Sequence, residues 1–310
     1  MAKRRVTVTE RFAYLEPKSR DAVVRFSRHL TFQGYAPTSI LNSLYKVDRF
    51  LRAGRLQDVY QVGGQAIERF IQQSQQAGLA GSTINGILSG IHHLYRYLRD
   101  EGEVAQNPVE FRKHRVRVPH RLPRPMRDEA VRALFTVIVP PRDRALFLLM
   151  LRCGLRVSEV ARLPVTALDF TQHTVRITHG KGGIERVVYS SVDVEHSLRE
   201  WLALRAGTSA YLFPSEVSAE EPVSVRTIQR AMRRYLQDAG LGDQGYSPHT
   251  LRHTYATQLL NAGVGLRTLQ ELMGHQTITM TMGYVKLYDQ TKRDEYFAAM
   301  QRIQQRHTIR

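Results

Sequence analysis

Residues 246–260 read YSPHTLRHTYATQLL, and the second half of the chain is best understood from this stretch. Ser247 followed by Pro248 marks a helix start, because a serine side chain can take an orphan first-turn N–H and proline suits the first helical position. From there Leu251, Tyr255 and Leu259 recur every four residues as an apolar stripe. His249 and Arg252 are three apart, so they share a face near the positive end of the helix dipole. Hydrogen-bond donors gathered there suit an anion. His249 and His253 also stand four apart, the spacing of a zinc pair. The intervening Thr-Leu-Arg lacks the glutamate of a metalloprotease helix, and the single cysteine, Cys153, cannot supply a ligand cluster. No metal site is expected.

Other candidates lie where the chain is punctuated. Gly154 reads as a helix end, Ser158 as the cap of the next helix, and Glu159 as a first-turn acid. Arg156 would then sit in a short, anchored connection, with Glu159 able to orient its guanidinium. Val175–Ile177 and Arg186–Tyr189 flank a glycine-rich turn and predict a β-hairpin with Lys181 at its tip. Glycine follows that lysine and a strand comes next, so the turn is no nucleotide-binding loop. Leu266, Leu269, Leu272 and Met273 give a helix stopped by Gly274, which puts His275 just past its negative end. Tyr284 follows nine residues later, and a tyrosine hydroxyl set among cations is shifted toward phenolate and can act as a nucleophile.

The rest of the chain is mainly α-helical by pattern. Four amphipathic segments, over Ser19–Leu30, Pro37–Leu51, Gln65–Gln76 and Ser82–Leu98, predict a helical domain over residues 1–110. Residues 111–127, FRKHRVRVPHRLPRPMR, hold three prolines and no acid, which predicts an extended basic linker. Residues 128–310 form the second domain, with helices expected at Asp143–Leu151, Glu195–Leu204, Val225–Ala239, Pro248–Leu260, Leu266–Met273 and Thr277–Met300. The 310 residues carry a net charge of +17, mostly through arginine, which favours a polyanion partner. There is no long apolar run and no signal-like N-terminus, so a membrane span and export are not expected. The location expected is the bacterial cytoplasm or nucleoid.

Each of these features is weak alone. Together they fall in the order Arg, Lys, His-x-x-Arg, His, Tyr. In that order, and in the stretches GLRVSEVARL (154–163), GKGG (180–183), HTLRHTYATQLL (249–260), LQELMGH (269–275) and TMTMGY (279–284), the chain resembles the tyrosine recombinases of the phage-integrase class, Xer-like in layout. The resemblance implies a four-helix, SAM-like core-binding domain followed by a mostly helical catalytic domain with a small β-hairpin. It makes Arg156 and Arg252 the phosphate clamp, Lys181 the mobile acid, and His249 and His275 assisting histidines. Tyr284 becomes the nucleophile and Glu159 the acidic support. Lys286 stands where the family often has a histidine, and too few residues precede residue 19 for an arm-site-binding domain.

What the resemblance implies is an enzyme that cuts and rejoins duplex DNA through a 3′-phosphotyrosine, with no cofactor and no metal. Its partners would be DNA with paired inverted core half-sites, copies of itself in a tetrameric synaptic complex, and related recombinase protomers. Residues 289–304 place Tyr296, Phe297, Met300 and Ile303 at helical spacing, and the family suggests that this C-terminal helix docks in a neighbouring protomer. The arginine bias and the sequence across Gln276–Lys286 favour integration of a mobile genetic element over an Xer-type resolvase of chromosome or plasmid dimers. A DNA-binding regulator that does not cut is disfavoured by the complete polar set. A topoisomerase or hairpin telomere resolvase shares the chemistry and differs in the absence of strand transfer between duplexes.

Overall fold

The computed structural model describes residues 7–119, 124–178, 185–205, 207, 209–274, 297 and 300. The chain divides into two units, Met1–His120 and Arg121–Arg310. The first is helical: Val8–Arg11 (α1), Pro17–Phe32 (α2), Pro37–Ala53 (α3), Gly64–Gln76 (α4), Gly81–Asp100 (α5) and the single turn Phe111–His114 (α6). The four long helices are those the periodicity predicts. Their apolar faces bury Phe26 and Leu30, Leu44 and Phe50, Ile67 and Phe70, and Leu88 and Leu94 in one core. Burying each such side chain contributes about 1.5–3 kcal/mol.

Two details differ from expectation. Ser82 does not cap α5, which starts at Gly81 with no side-chain cap bond. Gly81 lies against Val116 there, 3.0 Å from where a Cβ would stand, so the helix start is closely packed. The short α1 carries no apolar period, and is held by a reciprocal capping box between Thr7 and Glu10.

The basic stretch 111–127 also begins otherwise than as extended chain. After the helical turn α6, the side-chain amide of Asn85 serves both backbone groups of Val116. Its Oδ1 accepts the Val116 N–H at 2.9 Å, and its Nδ2 donates to the Val116 carbonyl at 2.8 Å. One asparagine thus acts as a strand partner would, something charge and proline content could not indicate.

The second unit comprises Asp128–Val137 (α7), Pro141–Arg152 (α8), Val157–Ala161 (α9), Val192–Leu204 (α10), Val225–Asp238 (α11), Pro248–Asn261 (α12) and Leu266–Met273 (α13). Leu168–Asp169 (β1), Thr174–Ile177 (β2) and Arg186–Tyr189 (β3) form an antiparallel sheet in the order β1-β2-β3. The hairpin has the predicted strands, with Ile177 opposite Arg186 as its last pair before the loop. The helix α8 is the centre of the core: every residue from Ala145 to Leu151 is buried, and α10 and α12 pack against it. A helix apolar on all sides has to be enclosed in this way. Its one buried acid, Asp143, accepts the Tyr235 hydroxyl of α11 at 2.7 Å. Among the described residues no helix is long and apolar enough to cross a membrane. Of the helix expected over Thr277–Met300 and the stretch 289–304, only Phe297 and Met300 are described, both helical; the remainder lies outside the described residues.

The turn from α8 into α9 depends on Gly154. Its φ of +66° suits glycine, and a Cβ there would stand 2.4 Å from the Tyr255 ring on α12. Gly154→Ala is therefore expected to destabilise the second unit by about 2–4 kcal/mol, from left-handed strain plus overpacking. Urea unfolding measures this, and Tyr255→Leu in the same chain should return part of the loss. An unchanged midpoint for Gly154→Ala would mean that the ring gives way freely.

Candidate active site

The site is assembled on one buried carboxylate. Arg156 is the residue from which α9 starts, and Glu159 is the third residue of that helix. Glu159 Oε2 accepts the Arg156 backbone N–H at 2.8 Å, so it is this carboxylate, rather than Ser158, that caps the helix. The Glu159 side chain is 1% exposed. Its Oε1 accepts Arg156 Nη1 at 2.7 Å and Arg186 Nη1 at 2.9 Å, and its Oε2 accepts Arg186 Nη2 at 2.7 Å. Arg252 Nη1 stands 4.0 Å from the same Oε2. Burial by itself would raise the carboxyl's pKa; the bonds and charge of Arg186, then the bonds from Arg156, outweigh it and hold the pKa at about 2.

The same three arginines grip the end of α13. Arg186 Nε donates to the Leu272 carbonyl at 2.9 Å, Arg252 Nη2 to the Met273 carbonyl, and Arg156 Nη2 to the Gly274 carbonyl at 3.2 Å. Three consecutive carbonyls at a helix end, where the helix has no N–H left to offer, each take one guanidinium. Gly274 ends the helix in the left-handed region at φ +59°, as the sequence predicts. Arg252 Nη1 donates also to the Gly154 carbonyl, which ties α12 to the turn before α9.

On α12, Ser247 has the extended backbone of a cap residue, Pro248 occupies the first turn, and the Thr250 hydroxyl accepts the Ser247 N–H at 3.0 Å. His249 is exposed at this helix start. Partial desolvation, then the charges of Arg252 and Arg156, lower its imidazole pKa, so it stands neutral near pH 7 and can take a proton. His253 is shifted the same way, by burial and then by His249 and Arg252. Tyr255 is buried, and burial first, then Cys153, pushes its hydroxyl up to about 12. That makes it a poor nucleophile.

Arg156, Glu159, His249 and Arg252 are thus brought into one neighbourhood, while Lys181, His275, Tyr284 and Lys286 lie outside the described residues. Their flanks are described: Arg186 opens the strand five residues after Lys181, and Gly274 immediately precedes His275. Sequence reading missed Arg186. In a strand of alternating residues it looks like one more surface arginine, and its only signal is that it falls on the inward-facing parity with Val188.

Residues 125–291 match the model of the phage integrase family, and residues 20–102 match that of the phage integrase N-terminal SAM-like domain. A relative named tyrosine recombinase XerA, from Thermococcus kodakarensis, is 30% identical over 272 residues, covering 86% of this chain and 91% of that one. Among solved structures, the Tn1549 transposon integrase in complex with circular-intermediate DNA superposes with a TM-score of 0.69 at 19% identity, over 85% of this chain and 94% of that one. A lambda integrase tetramer bound to a Holliday junction gives 0.70 at 17% identity, over 92% and 82%. The chain belongs to the phage integrase family, the tyrosine recombinases. It is an enzyme of DNA strand transfer.

The depressed pKa of Glu159 has a consequence for stability. A carboxyl at about 2 in the folded chain, against an ordinary 4.5, stabilises the fold above about pH 4.5, and that contribution is lost as pH falls toward 2. The shift corresponds to something on the order of 3 kcal/mol. Glu159→Gln should therefore be less stable than the wild type at about pH 6, with the gap closing as pH approaches 2. Urea titrations at a series of pH values test this. A gap that stays constant with pH would mean that Glu159 is not held ionised.

Proposed function

We propose that the chain is a site-specific DNA recombinase of the Xer type, which cuts and rejoins duplex DNA through a 3′-phosphotyrosine linkage. The observation that carries this reading is the cluster of Arg156, Arg186 and Arg252 around a single ionised carboxylate. Three guanidinium charges against one carboxylate leave a net excess of positive charge, which is suited to a phosphate that gains negative charge in its transition state.

In this reading Tyr284 attacks the scissile phosphorus. The P–O bond to the 5′ side breaks, and the energy of the phosphodiester is kept in the tyrosyl linkage. Arg156 and Arg252 bind the nonbridging oxygens, and a guanidinium fork suits such a pair of oxygens. His249, neutral by its lowered pKa, takes the tyrosine proton, and His275 adds a donor to the phosphate. Lys181 gives its proton to the departing 5′-oxygen. Attack by the 5′-hydroxyl of a second strand reverses these steps and completes the exchange.

The Xer reading replaces the mobile-element role expected from the arginine bias. The relative named XerA matches most of both chains, whereas likeness to the transposon and lambda integrases is at the level of the fold. By analogy with the junction-bound tetramer, four protomers would act on two duplexes with paired inverted half-sites, residues 289–304 of each docking in a neighbour. The place of action would be the cytoplasm. A plasmid dimer carrying two direct repeats of the recognition site should be resolved to monomers by the purified protein; failure with sites that are cleaved would favour the mobile-element role.

Tyr284→Phe should abolish the SDS-resistant protein–DNA adduct on a nicked suicide substrate while leaving affinity for a half-site nearly intact. An adduct at undiminished yield would move the nucleophile elsewhere. Lys181→Ala should slow cleavage by roughly 10²–10⁴, the usual worth of a placed general acid. A substrate with sulfur in place of the bridging 5′-oxygen should recover most of that rate, because a thiolate leaves without a proton. Absence of recovery would remove Lys181 from the leaving group.

A further inference from the structure

We infer that Arg186 is a positioning residue for the phosphate clamp, aligning Arg156 through Glu159 and the end of α13 through the Leu272 carbonyl. The inference rests on the clamp roles proposed above for Arg156 and Arg252.

Arg186 is as buried as Arg252, and differs in having both arms of its fork closed on one carboxylate. Its side chain is 6% exposed. Its Nη1 and Nη2 meet the two oxygens of Glu159, and its Nε meets Leu272. All three nitrogens are engaged by groups of the protein, so Arg186 is placed to hold other residues and not the DNA. The backbone from which it reaches is itself fixed, because Arg186 pairs with Ile177 as the last rung of the hairpin.

Two parts of the site follow from that anchor. Glu159 holds Arg156 through two bonds, one to the guanidinium and one to the backbone N–H. With Arg186 bidentate on both carboxylate oxygens, the plane of the Glu159 carboxylate is set, and with it the direction from which Arg156 is held. The second part is α13. The Leu272 carbonyl is the first of the three at its end, and His275 follows three residues later. Without Arg186, Glu159 would keep Arg156 alone as a bonded guanidinium, and the Leu272 carbonyl would lose its donor.

Lysine cannot reproduce this. Its single ammonium has the charge, but no rigid fork to meet two carboxylate oxygens and a carbonyl on a third side. Arg186→Lys therefore separates charge from geometry, and Arg186→Met removes both.

The test measures three quantities on the full chain: melting temperature, half-site affinity, and single-turnover cleavage of a nicked substrate. Both variants are expected to bind the half-site within about twofold of wild type while cleavage falls on the order of 10²-fold, the cost of misplacing a reacting group by about an ångström. The bridging 5′-thiolate substrate should not recover this loss, because the fault lies at the nonbridging oxygens. If Arg186→Met does not fold, Arg186→Lys carries the test. Wild-type cleavage by a folded variant overturns the inference. So does full recovery on the thiolate substrate, which would assign Arg186 to the Lys181 hairpin instead. Failure of Arg186→Lys to fold would assign the residue to stability alone and overturn it as well. A wild-type chain that forms no adduct would count against the proposed function, a distinct result.

Discussion

Everything at this site depends on one carboxylate that stays ionised out of water. Three guanidinium groups gathered around one carboxylate repel one another. Glu159 relieves that repulsion from the inside, with Arg186 on both oxygens, Arg156 on one, and Arg252 at 4.0 Å. The carbonyls of Leu272, Met273 and Gly274 relieve it from the other side, since a helix C-terminus carries partial negative charge. Removing one member of such a buried set costs about 3–5 kcal/mol, because the charge left behind has nowhere to go. The arrangement is therefore strongly specified even where its net contribution to folding is small.

The residues in it come from the ends of four elements. Arg156 stands at the start of α9, Arg186 at the start of β3, Arg252 in the early turns of α12, and the carbonyls at the end of α13. Element ends are where backbone groups lack ladder or helix partners, so polar side chains collect there. The buried α8 supplies the rigid floor: its last turn leads to Gly154, whose carbonyl takes Arg252 and whose α-carbon lies under Tyr255. Packing and chemistry meet at that glycine.

Much of this is legible in the amino-acid sequence. The four helices of the first unit announce themselves through apolar period, α12 through Ser247-Pro248, and the hairpin through strand-forming residues around a glycine turn. Arg156, Glu159, His249 and Arg252 are legible singly through local rules, a helix start, a first turn and a three-residue spacing, and as a set only through their order along the chain and the family resemblance. What was not legible depends on distant partners. Arg186 is chosen by Glu159, 27 positions away, and by Leu272, 86 positions away. The docking of Val116 on Asn85 spans 31 positions. Ser158 does not cap α9 because the helix starts two residues before a Ser158 cap would place it, at Arg156, whose N–H the Glu159 carboxylate takes. No periodicity carries such information.

The grip on α13 has a further property. Arg156, Arg186 and Arg252 hold main-chain oxygens there, and every amino acid presents the same oxygen. The identities of Leu272 and Met273 are thus uncoupled from the grip itself: Met273 answers to the apolar core beneath it, and Leu272 is free to drift. Gly274 is the exception, since its φ of +59° is strained for other residues and a would-be Cβ, 3.0 Å from Arg186 Cδ, would push the guanidinium that holds Glu159. Substitution in this segment should thus be tolerated unevenly, with a hard stop at one glycine and the constraint transferred to three arginines elsewhere in the chain.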